Sequence, residues 1–218
     1  GVTWPVVHVE FGLPESFGSV YSVVTAVSTG GIAFIAGPLL RKFGTGKVTF
    51  FSTLLTALGL IGISLSPNIV VMMICTVIMG YGAGAIDTGL NNFVSLHDKA
   101  KHMNWLHCCW GLGVTISPIV MSAFLGGNGT WRNGYRVIAI LQFAIALVIL
   151  ASLKKWNIQP KKSAETETLQ KDLPKKSFFD LLKEKGMVTS ILSLGLYCAG
   201  EFTIGTWGAT YAVNVRAV

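Results

Sequence analysis

Two carboxylates, Asp87 and Glu201, stand inside stretches that are otherwise apolar enough to cross a bilayer. An ionisable side chain near the middle of a spanning helix is unfavourable by about 2.5–3.5 kcal/mol on insertion scales. Such a group persists where it faces a polar cavity, an ion or a solute. At about 100° per residue, Asp87 shares a helical face with Asn91 and with Gly80 and Gly84 on the preceding turns. A carboxylate with an amide one turn away can hydrogen-bond a hydroxylated solute, or alternate between charged and neutral forms. The competing reading is a structural polar cluster tying two helices together. Burial of an acid is costlier than burial of an amide, which favours function.

A second group lies in MNWLHCCWGLG, where Asn104 and His107 fall at i and i+3 and Trp110 and Gly111 continue the same face. Histidine can donate to a hydroxyl, accept from one, or relay a proton near neutral pH. Trp110 can stack on the apolar face of a sugar. Trp105 fits an interfacial anchor equally well, and a lone histidine in a helix is often a packing residue. Glu201 sits in CAGEFTIGTWG, one turn after Tyr197 and one and two turns before Gly205 and Gly208. It could pair with a cation, bind a solute or close a gate. All four cysteines, Cys75, Cys108, Cys109 and Cys198, fall in apolar stretches and read as buried, inert thiols. His107-Cys108-Cys109 lacks the second cluster that a tetrahedral metal site needs.

The elements that must carry these residues are six apolar stretches, residues 17–40, 48–66, 69–96, 103–125, 136–153 and 187–215. Each is near or above the roughly 18–20 residues that cross about 30 Å of hydrocarbon as a helix. Only 12% of the 218 residues are charged and 51% are hydrophobic, against about 25% charged in a soluble domain. The short alternating segments of a barrel are missing. The fold class is therefore an all-α polytopic membrane protein. Residues 1–7 read as the last turns of a further span, with His8 and Glu10 solvated just beyond it. Glycines recur inside the spans, among them Gly30, Gly31, Gly80, Gly84, Gly111 and Gly113, and most read as close-packing positions. Pro118 predicts a kink.

The net charge of +7 could suggest nucleic acid, but fourteen of the 17 Lys and Arg residues fall in three alternate connections. That is the positive-inside pattern, which places the basic loops in the cytoplasm and leaves no role for nucleic acid. Short connections at residues 41–47, 67–68, 97–102 and 126–135 join antiparallel neighbours. Residues 154–186 differ: long, lysine-rich and polar, they read as a linker between two membrane units. At its end, residues 177–185 (SFFDLLKEK) read as a short amphipathic helix on the membrane surface. Asn128-Gly129-Thr130 fits a glycosylation acceptor, a pattern common by chance.

Three segments carry a resemblance to the major facilitator superfamily. GPLLRKFGTGK (residues 37–47) is similar to its signature between helices two and three, with Arg41 where an acid normally stands. The sugar/cation symporter branch typified by fucose permease also lacks that acid. GYGAGAIDTGLNNFV (residues 80–94) resembles that branch's fourth helix, with Asp87 at its membrane acid. MNWLHCCWGLG resembles its fifth helix, with His107 and Trp110 where sugar-contacting residues are expected. The resemblance implies two six-helix halves. Residues 1–153 would be the first half with helix one truncated, residues 154–186 the cytoplasmic central linker, and residues 187–218 helix seven, carrying Glu201. The branch's first-helix acid would precede Gly1.

The expectation is a secondary transporter of a sugar or similar polyol, working by alternating access. Asp87, Asn91, Asn104, His107, Trp110 and Glu201 would bind the solute, and Asp87 and Glu201 would couple it to a cation. No cofactor is expected beyond a coupling proton or sodium ion. The partners would be the solute and the lipid bilayer, with the full-length protein a monomer in the plasma (inner) membrane. Rival readings are a drug or metabolite exporter of the same superfamily and a non-transporting membrane receptor keeping the fold. A membrane-embedded enzyme has neither a nucleophile motif nor metal spacing behind it.

Overall fold

The computed structural model describes residues 1–126, 130–156, 180 and 182–216. The chain divides into two units, residues 2–158 and residues 159–218 with Gly1. In the first, a seven-residue helix α1 (Trp4–Glu10) precedes five long ones: α2 (Phe17–Phe43), α3 (Thr45–Leu65), α4 (Ile69–His97), α5 (Ala100–Leu125) and α6 (Trp131–Ser152). A 3₁₀ turn, Leu153–Trp156, ends it. The second unit has one long helix, α7 (Met187–Arg216). Six helices among the described residues are long and apolar enough to span a membrane. The all-helical, multi-pass architecture is as expected, and each span agrees with its apolar stretch to within a few residues, α6 excepted, which starts five residues earlier. Most of residues 154–186, including 177–179 and 181 of the amphipathic segment, and the acceptor asparagine at 128, lie outside the described residues.

Helix α3 is the hub of the first unit. It packs along α4 on one side and α6 on the other, while α4 also packs along α2. Its buried face is unusually hydroxylated: Thr49, Ser52, Thr53, Thr56 and Ser64 are all covered. A buried hydroxyl without a partner is costly in hydrocarbon; the helix backbone accepts from Thr53, Thr56 and Ser64, while the Thr49 hydroxyl has no partner among the described residues. Thr53 donates to the Thr49 carbonyl at 2.8 Å and Thr56 to the Ser52 carbonyl at 2.8 Å; Thr76 on α4 does the same to Met72 at 2.9 Å. These bonds within each helix leave small surfaces that let backbones approach. Gly82 lies against Thr56 and Ser52 of α3, and Gly84 against Thr29 and Ile32 of α2.

The bulky side chains gather at the end of the unit away from the basic loops. Trp4, Val7, Ile63, Met72 and Trp131 form a buried cluster, with Phe17 and Tyr21 packed against it. Helix α1 plugs this end, and the Trp4 indole donates to the Glu15 carbonyl at 2.8 Å. At the other end, Phe93 stacks on His97 with centroids 4.4 Å apart and meets Trp156 at 5.3 Å.

The connection expected over residues 41–47 is shorter than its polarity suggests. Helix α2 continues through Arg41 and Lys42, and a single residue, Gly44, turns the chain into α3 with φ 80° and ψ 152°. A β-carbon disfavours that conformation. Asn68 caps α4, its side chain accepting from the Val71 amide at 3.0 Å. Pro118 lies within α5, which is assigned as continuous helix from Ala100 to Leu125.

Candidate functional site

Asp87 lies ten residues before His97, so about 15 Å of helix separates it from the basic end of α4. That is about half the hydrocarbon thickness. Packing fixes its direction. The α4 turns before it are held on two sides, Gly80 and Gly84 against α2 and Gly82 against α3. Asp87 continues the face of Gly80 and Gly84, the one turned toward α2, yet its side chain is exposed. Its Oδ1 accepts from the Asn91 amide at 2.9 Å, the one-turn pairing expected from their spacing. The amide orients the carboxylate and leaves its other oxygen able to accept from a solute or hold a cation. Thr88, on the neighbouring stripe, donates to the Gly84 carbonyl at 2.9 Å.

Asn104, His107 and Trp110 occupy one side of α5, and all three are exposed. Met121 is the buried residue on this helix, lying against Gly134 of α6. The earlier turns of α5 therefore have little protein against them. Two expectations fail for that reason. Gly111 and Gly113 have nothing within reach of an added β-carbon, so they are not close-packing positions, and neither are Gly30 and Gly31 on α2. Cys108 and Cys109 are exposed rather than buried, and Cys75 and Cys198 only partly covered. Among the described residues no group of three His, Cys, Asp or Glu gathers as a metal site would require. Nor does any hydrogen bond, ion pair or ring contact among them join Asp87 or Asn91 to Asn104, His107 or Trp110. Glu201 sits at the middle of α7, fifteenth of its 30 residues, in the second unit.

Glu10 is exposed, as expected, but it is also paired. Its Oε1 accepts from Arg132 Nη2 at 2.6 Å and its Oε2 from the buried Trp131 indole at 2.5 Å. The Arg132 guanidinium also lies over the Trp131 ring, 4.3 Å from its centroid. This cluster ties α1 to the start of α6. Its signal in the sequence is faint: an acid just past an apolar stub and a Trp-Arg pair opening a span. His8 likewise has a partner, with Nδ1 3.1 Å from the Leu13 carbonyl. In the loop that resembles the superfamily signature, Arg41 folds back along α2 toward Gly37, and it has no ion-pair partner among the described residues. Gly46 is buried against Trp156.

Comparison with known proteins gives the family. The Major Facilitator Superfamily model matches residues 1–218. Efflux pump DEP3 of Fusarium langsethiae is 25% identical over 164 residues, 71% of this chain and 30% of that protein. The glucose/mannose transporter GlcP of Bacillus subtilis is 27% identical over 129 residues, 56% of this chain and 32% of GlcP. The minor myo-inositol transporter IolF of the same organism is 25% identical over 193 residues, 84% of this chain and 43% of IolF. The chain thus spans less than half the length of each of these relatives. No solved structure matches it.

Proposed function

The chain belongs to the Major Facilitator Superfamily, and on that premise we propose that it works in a secondary active transporter moving a sugar or similar polyol by alternating access. The observation that carries this reading is Asp87. An acid at mid-depth, exposed on α4 and oriented by Asn91, would cost about 2.5–3.5 kcal/mol against hydrocarbon. Facing a hydrophilic passage removes that cost. The names of GlcP and IolF, a glucose/mannose and a myo-inositol transporter, support a polyhydroxylated solute. Asn104, His107 and Trp110 offer donors, acceptors and a stacking surface from α5; Glu201, on α7 of the second unit, is a further membrane acid for solute or cation. The branch is that of fucose-permease-like symporters. Residues 1–153 form the first half, residues 154–186 the cytoplasmic linker, and residues 187–218 open the second half, in a monomer of the plasma (inner) membrane. No cofactor enters this scheme.

Coupling follows from solvation. A charged Asp87 resists the occluded state, because removing water disfavours the anion. A proton or sodium ion arriving with the solute neutralises it, and the loaded carrier can reorient. The test is transport by the full-length protein in proteoliposomes. Wild type should accumulate labelled sugar against a gradient when a cation gradient is imposed. Asp87→Asn should keep sugar counterflow and lose that accumulation. Cation-driven accumulation undiminished in Asp87→Asn would remove Asp87 from the coupling site. The efflux-pump relatives favour a second reading, export of an amphipathic metabolite. It predicts counterflow of such compounds and none of sugars.

A further inference from the structure

The face of the first unit formed by α2, α3 and α4 carries a groove of about 340 Å³, lined among others by Ile32, Leu39, Phe51, Leu55, Leu58 and Tyr81. Its walls are almost wholly apolar, with Ser52 the sole hydroxylated aliphatic residue among the lining. It is open on one side, unlike the closed contacts that α4 makes through Gly82 and Gly84. The α3 wall defines its direction. Lys47, Phe51, Leu54 and Leu58 recur at spacings of three and four and so form one stripe. Lys47 is exposed at the basic-loop end of that stripe. From Lys47 to Leu58 the helix rises about 16 Å, close to half of the roughly 30 Å of hydrocarbon in a bilayer. On α2, Phe43 continues the stripe of Ile32 and Leu39 to the same end, and the Lys42 ammonium lies over the Phe43 ring, 5.3 Å from its centroid.

One end of an apolar, leaflet-deep groove therefore carries two ammonium groups, and no ion pair among the described residues neutralises either of them. An acyl chain matches the groove, and an anionic headgroup matches its mouth. The geometry points to a binding site for one anionic phospholipid of the leaflet on the basic-loop side, its tail along Phe51, Leu55 and Leu58 and its phosphate at Lys42 and Lys47. The site is independent of the transport reading, since it lies on different residues from Asp87 and the α5 group.

Native mass spectrometry of the full-length protein, delipidated and offered phosphatidylglycerol or phosphatidylcholine, tests the assignment. Wild type should retain phosphatidylglycerol in preference to phosphatidylcholine. Each lysine near a charged interface contributes about five-fold, so Lys42→Gln with Lys47→Gln should cut retention of phosphatidylglycerol by an order of magnitude or more. Lys99→Gln with Lys101→Gln, on another basic loop, should leave it unchanged. Leu58→Trp, which fills the groove without touching the charges, should lower retention as well. Equal retention of the two lipids, an equal effect of the Lys99/Lys101 pair, or full retention in Leu58→Trp would each overturn the site. So would inaccessibility of the groove to a photoactivatable phospholipid because another part of the polypeptide covers it.

Discussion

Glu10 stands between two donors of different character. Arg132 and Glu10 are partly exposed, at 23% and 40%, so their ion pair is screened and worth less than about 1 kcal/mol. Trp131 is 1% exposed, and its indole N–H has the carboxylate as its acceptor. Removing that acceptor orphans a buried donor, which costs about 1–3 kcal/mol. The two contributions separate by substitution. Glu10→Gln keeps an oxygen for Trp131 and gives up only the charge, so thermal unfolding in a fixed detergent should change little. Glu10→Leu should lower the midpoint by several degrees. Equal shifts would mean that the charge, not the indole bond, holds α1 in place. At this scale the sequence was readable only where partners are neighbours. Asp87 and Asn91 are one turn apart and pair as their spacing implies. Glu10 and Arg132 are 122 residues apart, and nothing local announces them.

Between elements, the same small residue means opposite things on α4 and α5. Gly82 and Gly84 lie where an added β-carbon would press on Ser52 and Thr56 or on the Thr29 carbonyl, whereas at Gly111 it would meet nothing. Gly82→Val or Gly84→Val should therefore destabilise the first unit by at least the 1–3 kcal/mol usual for overpacking, seen as a fall in monodisperse yield and melting temperature. Gly111→Ala should be neutral or slightly stabilising, since alanine is the better helix former. Comparable losses at Gly84 and Gly111 would refute the packing assignment. Spacing alone put both sets in one class, because a glycine's role is set by the helix across from it. Helix ends had a similar limit. Hydropathy stops at charged residues, whereas the hydrogen-bonded backbone of α2 runs through Arg41 and Lys42 to Gly44, where φ turns positive.

Across the molecule, composition alone specified the number and kind of spans, since crossing hydrocarbon leaves the backbone few options besides a helix. It did not reveal that the bulky core of the first unit sits at one end, around Trp4, Val7, Ile63, Met72 and Trp131. That end is opposite the basic connections around residues 41–47 and 99–101. On the positive-inside rule we propose that the lysine-rich connections lie inside and that the end plugged by α1 faces out. Ser16 is exposed just before α2 and Lys99 is exposed just before α5, at opposite ends of the bundle. With Cys75, Cys108, Cys109 and Cys198 replaced by serine or alanine, Ser16→Cys should react with a membrane-impermeant maleimide on intact cells. Lys99→Cys should react only after permeabilisation. Neither substitution touches a residue that packs the core, so failure to label would not stem from misfolding. The reverse labelling pattern would invert the molecule in its membrane, and with it the side from which Asp87 first meets its cation.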